Sequence, residues 1–148
     1  MADLEIIGWK ESVDLPGWGI INLLAKADTG ACSSALDVKA IQELEDGKIQ
    51  FDIVLDRKDR TKTKTVVADI SHVKRVRSSN GKVNQRYFVS TQVRIGHKVK
   101  EVEFSLVCRK SMICRVLLGR KTLENDFLVD SAKKYKAGPR GEVGGYDI

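Results

Sequence analysis

Apolar and polar residues alternate along much of this 148-residue chain. Ile49-Gln50-Phe51-Asp52-Ile53 follows the turn Glu45-Asp46-Gly47-Lys48 and puts its apolar side chains on one face at period two. That pattern predicts a half-buried strand. Arg86–Ile95 predicts a second strand, joined through Gly96 to a run carrying Val99, Val102, Phe104 and Leu106. Ahead of them lies Ser78-Ser79-Asn80-Gly81-Lys82. Asn-Gly accepts the two positive φ values of a tight turn and predicts a hairpin there. Only Leu36–Glu45 and Gly119–Asn125 have patterns that suit short helical turns. From Ser131 onward the chain carries four glycines and a proline among scattered charges, which predicts a frayed tail. The expected organisation is one domain over residues 1–130 and a flexible tail over 131–148.

Composition narrows the class. A chain of 16.5 kDa suffices to bury roughly 70% of its unfolded surface, so a core needs no staples. With 42% hydrophobic and 31% charged residues, disorder is excluded. No apolar run approaches the ~20 residues of a membrane-spanning helix. The acidic start, MADLEIIGWKE, lacks the pattern of a signal peptide. Cys32, Cys108 and Cys114 show no framework spacing, which suits a reducing compartment and predicts a cytoplasmic location.

The net charge of +6 becomes informative once located. Residues 57–86 hold ten Lys/Arg against Asp59 and Asp69, a local +8, while the remainder of the chain sums to −2. Such a run is either a solvated surface or the contact for an anionic partner. Nine aromatics in the whole chain, with only Tyr87 and Phe88 beside the basic segment, are too few for a base-stacking surface. No nucleic-acid motif is present, so the charge argues for an acidic peptide over nucleic acid.

The chemistry lies in two short pieces. Ala25-Lys26-Ala27 runs into Asp28-Thr29-Gly30-Ala31, and far downstream Val116-Leu117-Leu118 runs into Gly119-Arg120. Alone, Asp-Thr-Gly is most often a structural turn. Together, with the Asn80-Gly81 hairpin between them, the pieces resemble the retropepsin-like aspartic peptidases. There a short subunit carries one Asp-Thr-Gly, a flap hairpin and an apolar-apolar-Gly-Arg segment. A closer resemblance, to a family named for ATP-dependent zinc proteolysis, runs to Asp130. It rests on Gly8-Trp9-Lys10-Glu11, Leu15-Pro16, Ala25-Lys26, Ser34-Ala35-Leu36, Arg86 before Tyr87-Phe88-Val89, Ser111-Met112 and Phe127-Leu128-Val129-Asp130. Members of that family are often associated with ATP-grasp glutamate ligases, which implies an acidic, polyglutamate-tailed peptide or protein as substrate.

The resemblance implies an all-β, closed, mostly antiparallel acid-protease barrel with one short helix, working as a homodimer. Two carboxylates close together cannot both ionise easily and so share a proton, one acting as base and the other as acid. One chain offers one Asp28, so the second would come from another copy across a two-fold axis. Thr29, Gly30 and Ala31 would complete the active loop. Gly119 and Arg120 would support it, and Arg77 and Arg86 of the flap would bind substrate carboxylates. Retroviral members have an Asp after Asp-Thr-Gly-Ala that pairs with the Arg of Gly-Arg. Cys32 stands there, which leaves Arg120 without its obvious local partner. Asp37 stands where the closer family commonly has His, and Cys108-Arg109-Lys110-Ser111 departs from an Asp/Asn-Arg-Ser pattern.

No cofactor is expected. A zinc hydrolase needs about three protein ligands, and His72 and His97 are the only histidines, outside any His-Glu-x-x-His. No phosphate-binding Gly-x-x-x-x-Gly-Lys-Ser/Thr is present. Trp9 and Trp18 read as core or interface. Two alternatives remain: a non-catalytic module that holds an acidic peptide or RNA on the basic hairpin, and the metal-dependent peptidase that the family name suggests.

Overall fold

The computed structural model describes residues 3–77, 79–108 and 112–138. Ten strands account for most of it: β1 (Glu5–Leu15), β2 (Ile20–Ala27), β3 (Ser34–Glu43), β4 (Lys48–Val54), β5 (Thr63–Asp69), β6 (His72–Arg77), β7 (Val83–Ile95), β8 (Lys98–Val107), β9 (Val116–Leu118) and β10 (Phe127–Lys134). One four-residue helix, α1 (Arg120–Leu123), lies within the predicted helical segment, and Pro16–Trp18 form a single 3₁₀ turn. No helix among the described residues is long and apolar enough to cross a membrane.

Period two does what the sequence predicts in β7. Val89, Thr91, Val93 and Ile95 point inward, while Ser90, Gln92 and Arg94 stay exposed. With equivalent faces of β1, β2, β3, β8 and β9 they close a six-strand barrel in the order β1-β2-β9-β3-β8-β7, sealed where Asp14 pairs with Arg94. Its interior is one apolar cluster built around Ile7, Leu23, Leu36, Val93, Phe104 and Leu118. Closure removes the open edges of the barrel itself, and the edges that remain belong to β5, β6 and β10 outside it. Most junctions are antiparallel, but β10 joins β1, β9 joins β2 and β8 joins β3 in parallel. The β4–β5 hairpin extends from β3 to one side, and Trp18 meets Phe51 edge-on at 5.7 Å beneath it.

Two local expectations need correction. Leu36–Glu45 does not make a helical turn; most of it lies in β3. Leu36, Asp37 and Val38 are all buried because β3 is covered on both faces, which erases the alternation. Ala40, at φ 55°, then shifts the register against β4. The hairpin between β6 and β7 forms, but Arg77 pairs with Val83 and leaves a five-residue loop. Gly81 takes the left-handed conformation (φ 83°), whereas the tight turn with two positive φ values falls at Asp46-Gly47 (61° and 71°). Ser78, Arg109, Lys110 and Ser111 lie outside the described residues.

Order also persists past the predicted tail boundary. β10 continues to Lys134 against β1, and the buried Glu11 carboxylate accepts the Lys136 and Ala137 amides at 2.8 and 3.3 Å. The same carboxylate accepts the Gly8 amide at 2.6 Å. A Cβ on Gly8 would lie 2.3 Å from the Lys133 carbonyl oxygen, so only glycine lets β10 pass so closely. Residues 139–148 lie outside the described residues.

Candidate active site

β2 delivers Asp28 to the barrel's outer face. Its amide donates to the Leu118 carbonyl at 2.9 Å, which prolongs the parallel β2–β9 pairing by one residue. The loop then turns on itself: Ala31 N–H reaches the Asp28 carbonyl at 3.2 Å, and Gly30 N–H donates to Asp28 Oδ1 at 2.9 Å. A Cβ on Gly30 would sit 3.2 Å from that same carboxylate oxygen. Glycine thus leaves the acid open to a ligand. Asp28 is half-buried and Thr29 exposed.

The second motif braces the first. Arg120 N–H donates to the Ala31 carbonyl at 2.8 Å, and Lys121 N–H to that of Cys32 at 3.1 Å. Arg120 Nη1 donates to the Thr29 carbonyl at 3.1 Å. The partner that Cys32 denied it is therefore main chain. Gly119 permits all of this, because a Cβ there would come within 2.5 Å of the Ser33 carbonyl group. Behind the loop, Ser34 Oγ accepts the Gly119 amide at 2.9 Å and meets Thr122 Oγ1 at 2.6 Å. That pair was not foreseen, since neither residue belongs to the Asp-Thr-Gly or Gly-Arg pieces.

Asp28 opens into a cleft of about 530 Å³ between the barrel and the β6–β7 ribbon. Ala35, Leu117, Phe88 and Ser105 supply its floor, and Lys74, Arg75, Arg77 and Arg86 its basic wall. Both predicted flap arginines thus reach the cleft. Cross-strand pairing sets Arg86 on the same face as Lys74 and, two residues along, Phe88; Arg75 and Arg77 lie on the ribbon's alternate face and border the cleft from there. Lys74 is the wall residue the sequence only bordered. Among the described residues, none of these four cations makes an ion pair, and Asp28 is the cleft's single carboxylate.

The other departure, Asp37, lies away from this chemistry. Fully buried, it binds the buried Arg115 and takes a two-pronged contact from Arg60, with Nη2 at 2.8 Å from Oδ1. This hydrogen bond, more than any other influence, raises the Arg60 pKa above its ordinary value. His72 stacks on Phe88 with ring centres 4.0 Å apart and meets Glu103 at 3.1 Å. His97 sits in the β7–β8 turn. No group of three His, Cys, Asp or Glu side chains among the described residues could hold a metal. Cys32 and Cys108 are exposed and Cys114 is buried, and among the described residues none of the three forms a disulfide.

A small closed barrel, an Asp-Thr-Gly loop braced by Leu-Leu-Gly-Arg and a β-ribbon beside the acid define a retropepsin-like scaffold. The family described as RimB-like, "Retropepsin-like aspartic endopeptidase RimB", matches residues 6–140, and the chain belongs to it. Curated relatives named probable alpha-L-glutamate ligase include one from Shewanella pealeana, 31% identical over 144 residues, covering 93% of this chain and 31% of the relative. Another, from Parasynechococcus marenigrum, is 29% identical over 136 residues, covering 90% and 29% respectively. The chain therefore spans under a third of the length of these relatives. A crystal structure from Legionella pneumophila, of a protein of unknown function assigned to DUF785, superposes with a TM-score of 0.73 at 25% identity, covering 91% of this chain and 99% of that one.

Proposed function

We propose that this protein is an aspartic endopeptidase that cleaves acidic peptide segments, including polyglutamate tails, with Asp28 as its catalytic group. The observation that carries this reading is a glycine-framed Asp28 at the edge of a cleft whose four wall cations have no carboxylate partner. Cations gathered around one cleft without carboxylate partners favour an anionic ligand.

In the proposed mechanism a second copy brings its own Asp28 across a two-fold axis, and the two carboxylates share one proton. The ionised member takes a proton from water as the water oxygen attacks the peptide carbonyl. The protonated member hydrogen-bonds the carbonyl oxygen and stabilises the tetrahedral intermediate. Proton transfer to the amide nitrogen then releases the amine. Thr29, exposed in the single chain, would hydrogen-bond across the dimer, and Gly30 would let the two loops approach.

The relatives' name supports a functional link to an ATP-grasp glutamate ligase, with this chain trimming what such an enzyme adds. A glutamate-rich peptide tests the reading. Cleavage, loss of cleavage in Asp28→Asn, and a solution mass that rises to a dimer with concentration or peptide are expected. A monomer under every condition, with no cleavage, overturns it. The one-carboxylate cleft of the single chain also suits a second reading, a non-catalytic module that holds acidic tails. In that case Asp28→Asn binds peptide as before and neither form cleaves it.

A further inference from the structure

The cleft floor belongs to a longer row of side chains. Across the strands, Phe88 pairs with Ser105, Ser105 with Ala35, Ala35 with Leu117, and Leu117 with Lys26. Lys26 then pairs with Lys10. Directly paired residues point to one face of a sheet, so this row continues the floor beyond Leu117 onto two lysines. Lys26 lies two residues before Asp28 on the same strand.

A rung of like charge stands near each end of the row. At the ribbon end, two residues along from the His72–Phe88 pair, Lys74 faces Arg86 across β6 and β7; at the barrel end Lys10 faces Lys26 on β2 and Lys134 on β10. Like charges directly opposite destabilise a sheet. Several cations elsewhere do face a carboxylate: Lys48 meets Asp69, Lys62 meets Asp56, Arg94 meets Asp14, and Lys98 and Lys100 meet Asp126. Neither rung has a carboxylate partner among the described residues. An acidic ligand laid along the row would relieve the repulsion at both.

Adjacent strands lie about 4.8 Å apart, so the four steps from β7 to β2 cover about 19 Å. An extended peptide advances about 3.3 Å per residue, and because the barrel wall curves, the rungs are at most about six residues apart. We infer that Lys10 and Lys26 form a second carboxylate-binding subsite, next to Asp28 and on the side away from the ribbon. The protein would then require acidic residues on both sides of the position that Asp28 addresses. The inference rests on the acidic-substrate reading above and extends it to residues outside the flap.

Binding tests it without depending on catalysis. The probes are fluorescein-labelled decaglutamate and decaglutamine, titrated against the full chain carrying Asp28→Asn at several salt concentrations. The Lys10→Gln/Lys26→Gln double variant should lose about tenfold in affinity for decaglutamate. It should also lose part of the salt dependence and bind decaglutamine unchanged. Lys10→Arg/Lys26→Arg should retain affinity, which separates charge from any effect on folding. Full affinity in the Gln double variant, with Arg86→Gln still impaired, overturns the second subsite alone. Equal binding of both peptides by the Asp28→Asn chain overturns the acidic-substrate reading and the subsite with it.

Discussion

Two aspartates nine positions apart have opposite fates. Asp37 is buried and enclosed by Arg60 and Arg115, its charge answered by the protein itself. Asp28 is half-exposed, takes one main-chain hydrogen bond, and shares its cleft with four cations that it does not pair with. A carboxylate that serves stability is desolvated and saturated. One that is to serve chemistry, the role proposed for Asp28, must keep lone pairs and space free, and that difference in environment separates two acids that are the same letter in the sequence.

Substitutions can break this contrast. Asp28→Asn should lower cleavage at least about ten-thousandfold, equivalent to ~5.5 kcal/mol of barrier. Its unfolding midpoint should move by less than about 0.5 kcal/mol. An unfolding transition that shifts with activity would make Asp28 structural too. Asp37→Ala should do the reverse: it strands two arginines, one fully buried, and should cost about 3–5 kcal/mol in denaturant unfolding.

Gly119→Ala tests the brace between the two motifs. Its Cβ would meet the Ser33 main chain at 2.5 Å, so it should destabilise by about 1–3 kcal/mol and displace the Asp28 loop, lowering activity more than stability. The smallest effect is expected at a third carboxylate, Asp126. Its hydrogen bond from Lys100, aided by Lys98, holds its pKa below the usual carboxylate value against partial burial. That stabilisation is present above the unfolded carboxylate pKa and is lost as pH falls through the lower, folded one. Because the pair is a third exposed, Lys100→Gln should remove about 0.5 kcal/mol or less near neutral pH. The difference should vanish at the acid end of a pH series of melts.

The strands whose one face meets solvent were legible, because burial on a single side prints period two into β4 and β7. β3 was not: Leu36, Asp37 and Val38 are all covered, so its sequence reads like a buried helix. The loop and its brace were also visible, since Asp-Thr-Gly and Leu-Leu-Gly-Arg are contiguous pieces whose glycines meet main chain. The contact between Ser34 and Thr122 was not legible, because it spans 88 residues and leaves no local pattern. Asp37 stood out only as a departure, with nothing local to tie it to Arg60 and Arg115.

Composition and pattern alone thus determined a β-rich domain, the position of its one reactive-looking acid, and a basic segment concentrated between the two motifs. Those are properties of neighbouring residues, written by local alternation and short-range turn chemistry. Which cations face Asp28, which carboxylate is sealed away, and where Lys10 and Lys26 meet the cleft floor were decided by strand register. Register couples residues far apart in the chain, and a slip of one position would turn each of those side chains to the opposite face.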